Sequence, residues 1–193
     1  MTEQAAAAAY WAGREVGPFS RRRTWSAALA ERIVALHPSS VFEFGCNVGR
    51  HLVEIHERDS RVRLRGVDIN PRAVRVARKA GLPISVGDET SLYEFADDEF
   101  SVAYTSSVID HIPDPTLALV ELARIAPIIV LLEPYLGYEG KVDWVAQGVR
   151  ANPFLYSWDY AQRLPGHDVV SEPFPIRPEG AGPFYRLHIA TRR

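Results

Sequence analysis

The sequence predicts an α/β domain: a mostly parallel sheet with helices on both faces, closed by an antiparallel strand pair. Three observations carry this expectation. Short runs of branched apolar residues, of which IIVLLE at 128–133 is the purest, recur between residues 41 and 133, and such runs suit strands buried on both faces. Segments with apolar residues three and four apart separate them, as crossover helices do. After Glu133 the alternation stops, and two further extended runs flank the Pro- and Gly-rich RPEGAGP.

Composition sets the outer limits. With 193 residues, of which 47% are hydrophobic and 24% charged, the chain has the material for one folded domain spanning 1–193. Lys and Arg number 22 against 24 Asp and Glu, a net charge of −2. That balance gives no field for gripping a phosphate backbone, so no nucleic-acid partner is expected. The single cysteine, Cys46, excludes an internal disulfide and a multi-cysteine zinc centre. No metal site is expected. There is neither a signal peptide nor an apolar run of about 18 residues, so the expectation is a cytoplasmic protein without membrane contact.

The elements follow in order. Residues 1–36 form an N-terminal helical segment: a short alanine-rich helix with Tyr10 and Trp11, a Gly17-Pro18 break, then an amphipathic helix from Ser20 to Leu36. In that helix Trp25, Leu29, Ile33 and Leu36 face inward, opposite Arg21, Arg22 and Arg23. Val41 to Phe44 reads as the first strand and Val48 to Ile55 as the helix after it. Val62 to Asp68 is the second strand. Its helix has Asn70 as N-cap, Pro71 at the first helical position, and Gly81 and Pro83 beyond its end. Ile84 to Val86, Phe100 to Thr105 and Ile128 to Glu133 are the third to fifth strands, with a helix from Pro115 to Ile125. Ser157 to Leu164 is a further helix, and His167 to Ile176 and Phe184 to Thr191 form the closing hairpin. The acidic FADDEF is a solvated turn before the fourth strand.

In an open α/β sheet the ligand lies beyond the carboxyl ends of the strands, and the first strand-to-helix turn is its floor. Here that turn is Gly45 to Gly49. Gly45 lets the chain fold sharply after the strand. Gly49 allows close approach at a helix N-terminus, where free N–H groups favour a carboxylate or phosphate. Asp68 follows Gly49 by 19 residues at the end of the second strand, where an acid can accept both hydroxyl hydrogens of a ribose. The pattern serves nucleoside ligands of two kinds. Dinucleotide binding, and with it a nicotinamide-dependent oxidoreductase, wants G-x-G-x-x-G, whereas the turn reads Gly45-Cys46-Asn47-Val48-Gly49-Arg50. A ligand with one carboxylate and one ammonium needs fewer glycines.

VFEFGCNVGRH (41–51), GVDINPRAVRVAR (66–78) and VGDETSLYEFADDEFSVAYTSSVIDHIPDP (86–115), together with the closing strand pair, resemble the class I, Rossmann-like S-adenosylmethionine (SAM)-dependent methyltransferases, particularly their small "methyltransferase-11-like" members. The resemblance is closest over residues 24–133. It implies a Rossmann-like three-layer sandwich around a mostly parallel seven-stranded sheet, SAM as cofactor, and methyl transfer to a small-molecule acceptor. By the same resemblance Glu43 orders the glycine turn and the cofactor's amino end. Gly45 and Gly49 meet the methionine portion through backbone, and Asn47, standing where glycine is usual, lies against the same portion. Cys46 occupies a position where the family often has cysteine. Asp68 takes the ribose diol, Ile69 packs on adenine, Asp88 accepts from the adenine amino group, Glu89 offers backbone contacts to the ring, and the Ser106 carbonyl faces the substrate side of the cofactor.

For chemistry, the donor sulfonium is already activated, so alignment and exclusion of water supply much of the rate, and a base is needed only for an acceptor that is still protonated. His111, Tyr135 and Tyr138 are the candidates near the expected pocket, with His111 and Tyr138 the catalytic choices. Residues 134–156 are the expected substrate lid. With the N-terminal Tyr10 and Trp11, an aromatic stretch of Tyr135, Tyr138, Trp144, Phe154, Tyr156 and Trp158 is expected to roof the acceptor. A non-catalytic SAM-binding module is the other reading of a chain without an obvious base.

Overall fold

The structure is a computed structural model, and it describes residues 1–17, 24–143, 153–174 and 185–193. The expected arginine face at Arg21, Arg22 and Arg23, Trp144, the RPEGAGP connection and Phe184 lie outside the described residues.

Five parallel strands form the body of the sheet: β1 (Ser40–Phe44), β2 (Arg63–Asp68), β3 (Ile84–Val86), β4 (Val102–Ser106) and β5 (Ile128–Pro134). The two-residue strands β6 (Gly140–Lys141) and β7 (Tyr156–Ser157) pair with each other apart from it. β8 (His167–Pro173) and β9 (Tyr185–Arg192) add the antiparallel end, giving the order β3-β2-β1-β4-β5-β9-β8. The fold is therefore Rossmann-like, with seven strands, mostly parallel, and a C-terminal antiparallel pair. Strand order reverses between β1 and β4, which pair in parallel, and this places the ligand crevice above their carboxyl ends.

The helices are α1 (Glu3–Ala12), α2 (Thr24–Val34), α3 (Arg50–Arg58), α4 (Pro71–Lys79), α5 (Thr116–Ile125) and α6 (Tyr160–Arg163). Side-chain alternation along the strands divides the interior into two layers. Val41, Val102, Tyr104, Val130 and Leu132 point to one face and pack on Leu29, Ile33, Leu52, Ile55, Val74 and Ala77 of α2, α3 and α4. Phe42, Phe44, Ala103, Ile129 and Leu131 point to the other and pack on α5 and on Tyr160. Burying these faces supplies the main stabilisation, on the order of 25 cal/mol per Å² of apolar area removed from water.

Local chemistry fixes the element ends. Asn70 caps α4 as its pattern requires, its side-chain oxygen accepting from the backbone of Arg72 and Ala73. After β3, residues Glu89–Glu94 form a 3-10 helix, which the Asp88 side chain caps by accepting from Thr90 N. FADDEF is an exposed turn, and each of its acids meets an arginine: Asp97 with Arg124, Asp98 with Arg192 and Glu99 with Arg63.

Candidate functional site

A cavity of about 260 Å³ opens above the carboxyl ends of β1, β2, β3 and β4. Its floor is Phe44, Gly45, Asn47, Asp68 and Ile69; one wall is Gly87, Asp88 and Glu89, the opposite wall is Ser106 to Val108 with His111 and Ile112, and α1 covers it through Gln4, Ala7, Ala8 and Trp11.

Asp68 is the centre of the floor. Its Oδ2 accepts from Asn47 N at 2.6 Å and its Oδ1 from Asn70 N at 2.8 Å. One carboxylate thus ties the glycine turn to the end of β2. Burial raises its pKa, and the two amide N–H groups oppose that rise. Each oxygen keeps acceptor capacity for a hydroxyl donor.

The glycine turn owes its composition to packing as much as to any ligand. Gly45 has φ +72°, and a Cβ there would stand 2.4 Å from Val108 Cγ2. Gly49 has φ +76°, and a Cβ there would meet Leu82 Cδ1 at 2.3 Å. Gly49 therefore faces α4's trailing loop and does not line the cavity, contrary to the close-approach reading. Asn47 also has positive φ, at 50°, a region asparagine tolerates. Its side chain accepts from Val48 N, so an asparagine stands in for the usual glycine without breaking the turn.

Glu43 and Cys46 lie beneath the floor and do not line the cavity. Glu43 Oε1 is 2.7 Å from His51 Nδ1, and Arg50 donates to His51 Nε2 at 3.2 Å, so the tautomer with its proton on Nδ1 satisfies both contacts. Trp25 lies on the same cluster, its ring 5.1 Å from that of His51. Burial, with Glu43 and Asp68 nearby, pushes the Cys46 thiol well up, which removes thiolate chemistry. Glu43 thereby braces the start of α3, the helix that follows the turn, from below.

Asp88 lines the cavity while its Oδ1 accepts from the backbone and hydroxyl of Thr90. Glu89 reaches the cavity cover, accepting from Gln4 Nε2 at 2.6 Å. Gln4 in turn accepts from Asp114 N, and Asn70 donates to the Arg14 carbonyl at 2.8 Å. α1 is thereby strapped to both walls and to the end of β2. Nothing local in residues 1–12 forecasts these contacts, whose partners lie 56 to 110 positions away.

His111 lines the cavity under Trp11, the two rings 4.2 Å apart. Its Nδ1 lies 3.0 Å from the Phe154 carbonyl, to which it donates, and burial lowers its pKa to about 4. At neutral pH it is a weak proton acceptor. The structure does not bring Tyr138 to the cavity: it lies on the loop after β5 and is 42% exposed. Among the described residues, the aromatics of that stretch do not line the cavity either. Tyr156 and Trp158 stack at 5.7 Å inside the core, and Phe154 packs beside them and against Tyr10. Sequence reasoning passed over Gln4, Asn70, Val108, Ile112 and Glu133. Of these, Asn70 carried a signal, since an N-cap next to a strand-end acid faces the same crevice.

Residues 42–127 match the methyltransferase domain family. That match covers less than half of the chain. No curated protein sequence matches it significantly. Among solved structures, the chain is similar to a SAM-dependent methyltransferase from Archaeoglobus fulgidus, with 16% identity over 86% of this chain and 92% of that one and a TM-score of 0.66. It is similar to an S-adenosylmethionine-dependent methyltransferase from Mesorhizobium loti at 18% identity, covering 84% and 96% of the two chains, with a TM-score of 0.63. The [4+2]-cyclase SpnF has 16% identity over 86% and 81% of the chains and a TM-score of 0.67. These likenesses are of fold. The cavity lies at the face where an open α/β sheet takes its ligand.

Proposed function

We propose that the protein transfers the methyl group of SAM to a small-molecule acceptor, and that the cavity between α1 and the strand ends is the cofactor site. The observation that supports this best is the cover: α1 crosses the cavity and, with the residues after it, is fastened at Glu89, Asp114 and Asn70, an arrangement suited to a small acceptor.

The residues present fit SAM. A buried carboxylate with spare acceptor capacity stands at the floor, apolar Ile69 and Ile112 flank it, and Asp88 closes the far wall. In this reading Asp68 binds the ribose hydroxyls, Ile69 packs on the base, Asp88 and Glu89 lie at the adenine end, and Gly45, Asn47 and Ser106 line the methionine end. When bound, the cofactor supplies an electrophilic methyl group. The chain's own residues hold the donor and exclude water: Trp11, Ala7 and Ala8 cover the site, and His111 with Trp11 forms an apolar wall whose imidazole stays neutral. Rate enhancement then comes from alignment and a dry site, and acceptors that are nucleophilic without prior deprotonation suit it. No helix among the described residues is long and apolar enough to cross a membrane, and we read the protein as a cytoplasmic enzyme.

The test is incubation of the purified protein with SAM and a panel of small amines, carboxylic acids and phenols, with S-adenosylhomocysteine as the readout. Turnover with a small acceptor is the expected result. Turnover confined to RNA or to protein substrates overturns the small-molecule reading.

A further inference from the structure

We infer that Glu133 is a positioning residue for the cofactor cavity: together with Asp110, its buried carboxyl holds the loop from Ser106 to His111 in the shape that forms one wall. The inference rests on the cavity being the SAM site.

Glu133, on β5, is fully buried and does not line the cavity. Its reach is to the loop after β4. Oε1 accepts from the Thr105 hydroxyl at 2.7 Å, both oxygens lie 3.1 Å from Val108 N, and Oε2 accepts from Asp110 N at 3.4 Å. The loop needs such a hold. Ser107 has φ +54°, a left-handed conformation that a non-glycine residue adopts only under constraint. Val108 in turn fills the space a side chain on Gly45 would take, so its position sets both the wall and the fit against the glycine turn. His111, at the end of the same loop, carries Trp11 of the cover. One carboxyl thus governs a wall, the floor turn and the cover.

Asp110 makes the hold sensitive to protons. It is 1% exposed, its Oδ1 has no hydrogen-bond partner among the described residues, and the same oxygen stands 3.6 Å from His111 Nε2. The two side chains interact in a dry interior, where ionising both at once is costly. The groups that face the pair are few. Tyr160 of α6, buried with its hydroxyl unpartnered among the described residues, lies on the core side, with Tyr185 of β9 and Arg163 acting on Tyr160 in turn. His111 lies on the cavity side, with Arg14 acting on it from α1. Burial first and Asp110's charge second push Glu133 up to about 8, and burial pushes Asp110 up to about 7. Ionising both would place two adjacent charges under the loop and loosen it.

The experiment measures S-adenosylhomocysteine affinity by isothermal titration at pH 6, 7, 8 and 9 for wild type, Glu133→Gln, Glu133→Ala, Asp110→Asn and Asp68→Asn. The ligand's own amino group titrates alike in every sample, so differences between proteins isolate the pair. Wild type is expected to weaken with rising pH relative to Glu133→Gln and Asp110→Asn, which keep a hydrogen-bonding group but cannot ionise. Glu133→Ala is expected to bind about tenfold more weakly already at pH 6, the size of one lost buried contact. If it fails to fold, the two amide variants carry the test. Amide variants that follow the wild-type pH curve overturn the inference. An Asp68→Asn protein that binds as wild type does overturns instead the assignment of the cavity to SAM, and separates the two failures.

Discussion

The Asp68 carboxylate lies 2.6 Å from the backbone nitrogen of Asn47, so the end of β2 holds the turn that follows β1. Replacing Asp68 with Asn leaves one acceptor oxygen and turns an NH₂ group toward a backbone N–H. Affinity for SAM should fall roughly 10- to 100-fold, as loss of charge-assisted hydrogen bonds worth about 1.5–3 kcal/mol requires. Titration calorimetry checks this, with a melting curve to show that the variant is folded.

Gly45→Ala tests the packing account of the glycine turn. The new methyl would overlap Val108 and sit at φ +72°, so a loss of roughly 2–4 kcal/mol is expected from overpacking and backbone strain together. Gly45→Ala combined with Val108→Ala should recover part of that loss and leave the backbone part. Equilibrium urea unfolding measures both. Equal stability of the single and double variants would contradict the clash.

Stability should peak in mildly acidic solution. Glu133 and Asp110, raised to about 8 and about 7, contribute stability that is complete below their ordinary pKa values near 4 and is lost as pH rises through 7 to 8. His111 and His188, both lowered to about 4 mainly by burial, contribute stability that is complete above about 6.5 and is lost as pH falls toward 4. The opposing trends offset each other between about pH 4.5 and 6.5. Melting temperature should therefore decline from pH 6.5 to 8.5 in wild type, and decline less in Glu133→Gln.

The strap formed by α1 should control exchange of the bound cofactor. Gln4→Ala removes the contacts to Glu89 and to Asp114 N, and Asn70→Ala removes those to the Trp11 and Arg14 carbonyls. The double variant should release S-adenosylhomocysteine about tenfold faster, consistent with loss of one to two net hydrogen bonds. Stopped-flow displacement reads this directly. An unchanged off-rate would show that α1 covers the site without holding it.

How much of this was legible in the sequence depended on how local the cause was. β5 announced itself through six consecutive residues suited to a buried strand, and α4 through Asn70 and Pro71, because both signals lie within the element they specify. Asp68 was legible as an acid at a strand end facing a crevice, and Asp88 through the resemblance of VGD; both line the cavity. Gly49 looked like a ligand contact because a glycine at the start of the helix after the first strand is a local signal, whereas Leu82, which fills the space beside it, is visible only in three dimensions. Tyr156 and Trp158 looked like a lid for the same reason, since their mutual stacking inside the core is a tertiary fact. Glu133 passed as the polar end of a strand. Its importance lies in contacts to Thr105, Val108 and Asp110, 23 to 28 positions earlier.

The most direct test of the central claim is parallel titration of the wild-type protein and Asp68→Asn with SAM, S-adenosylhomocysteine and NAD. The account predicts that wild type binds both adenosyl ligands and not NAD, and that Asp68→Asn loses affinity for both. Binding of NAD alone, or adenosyl binding indifferent to Asp68, would contradict it.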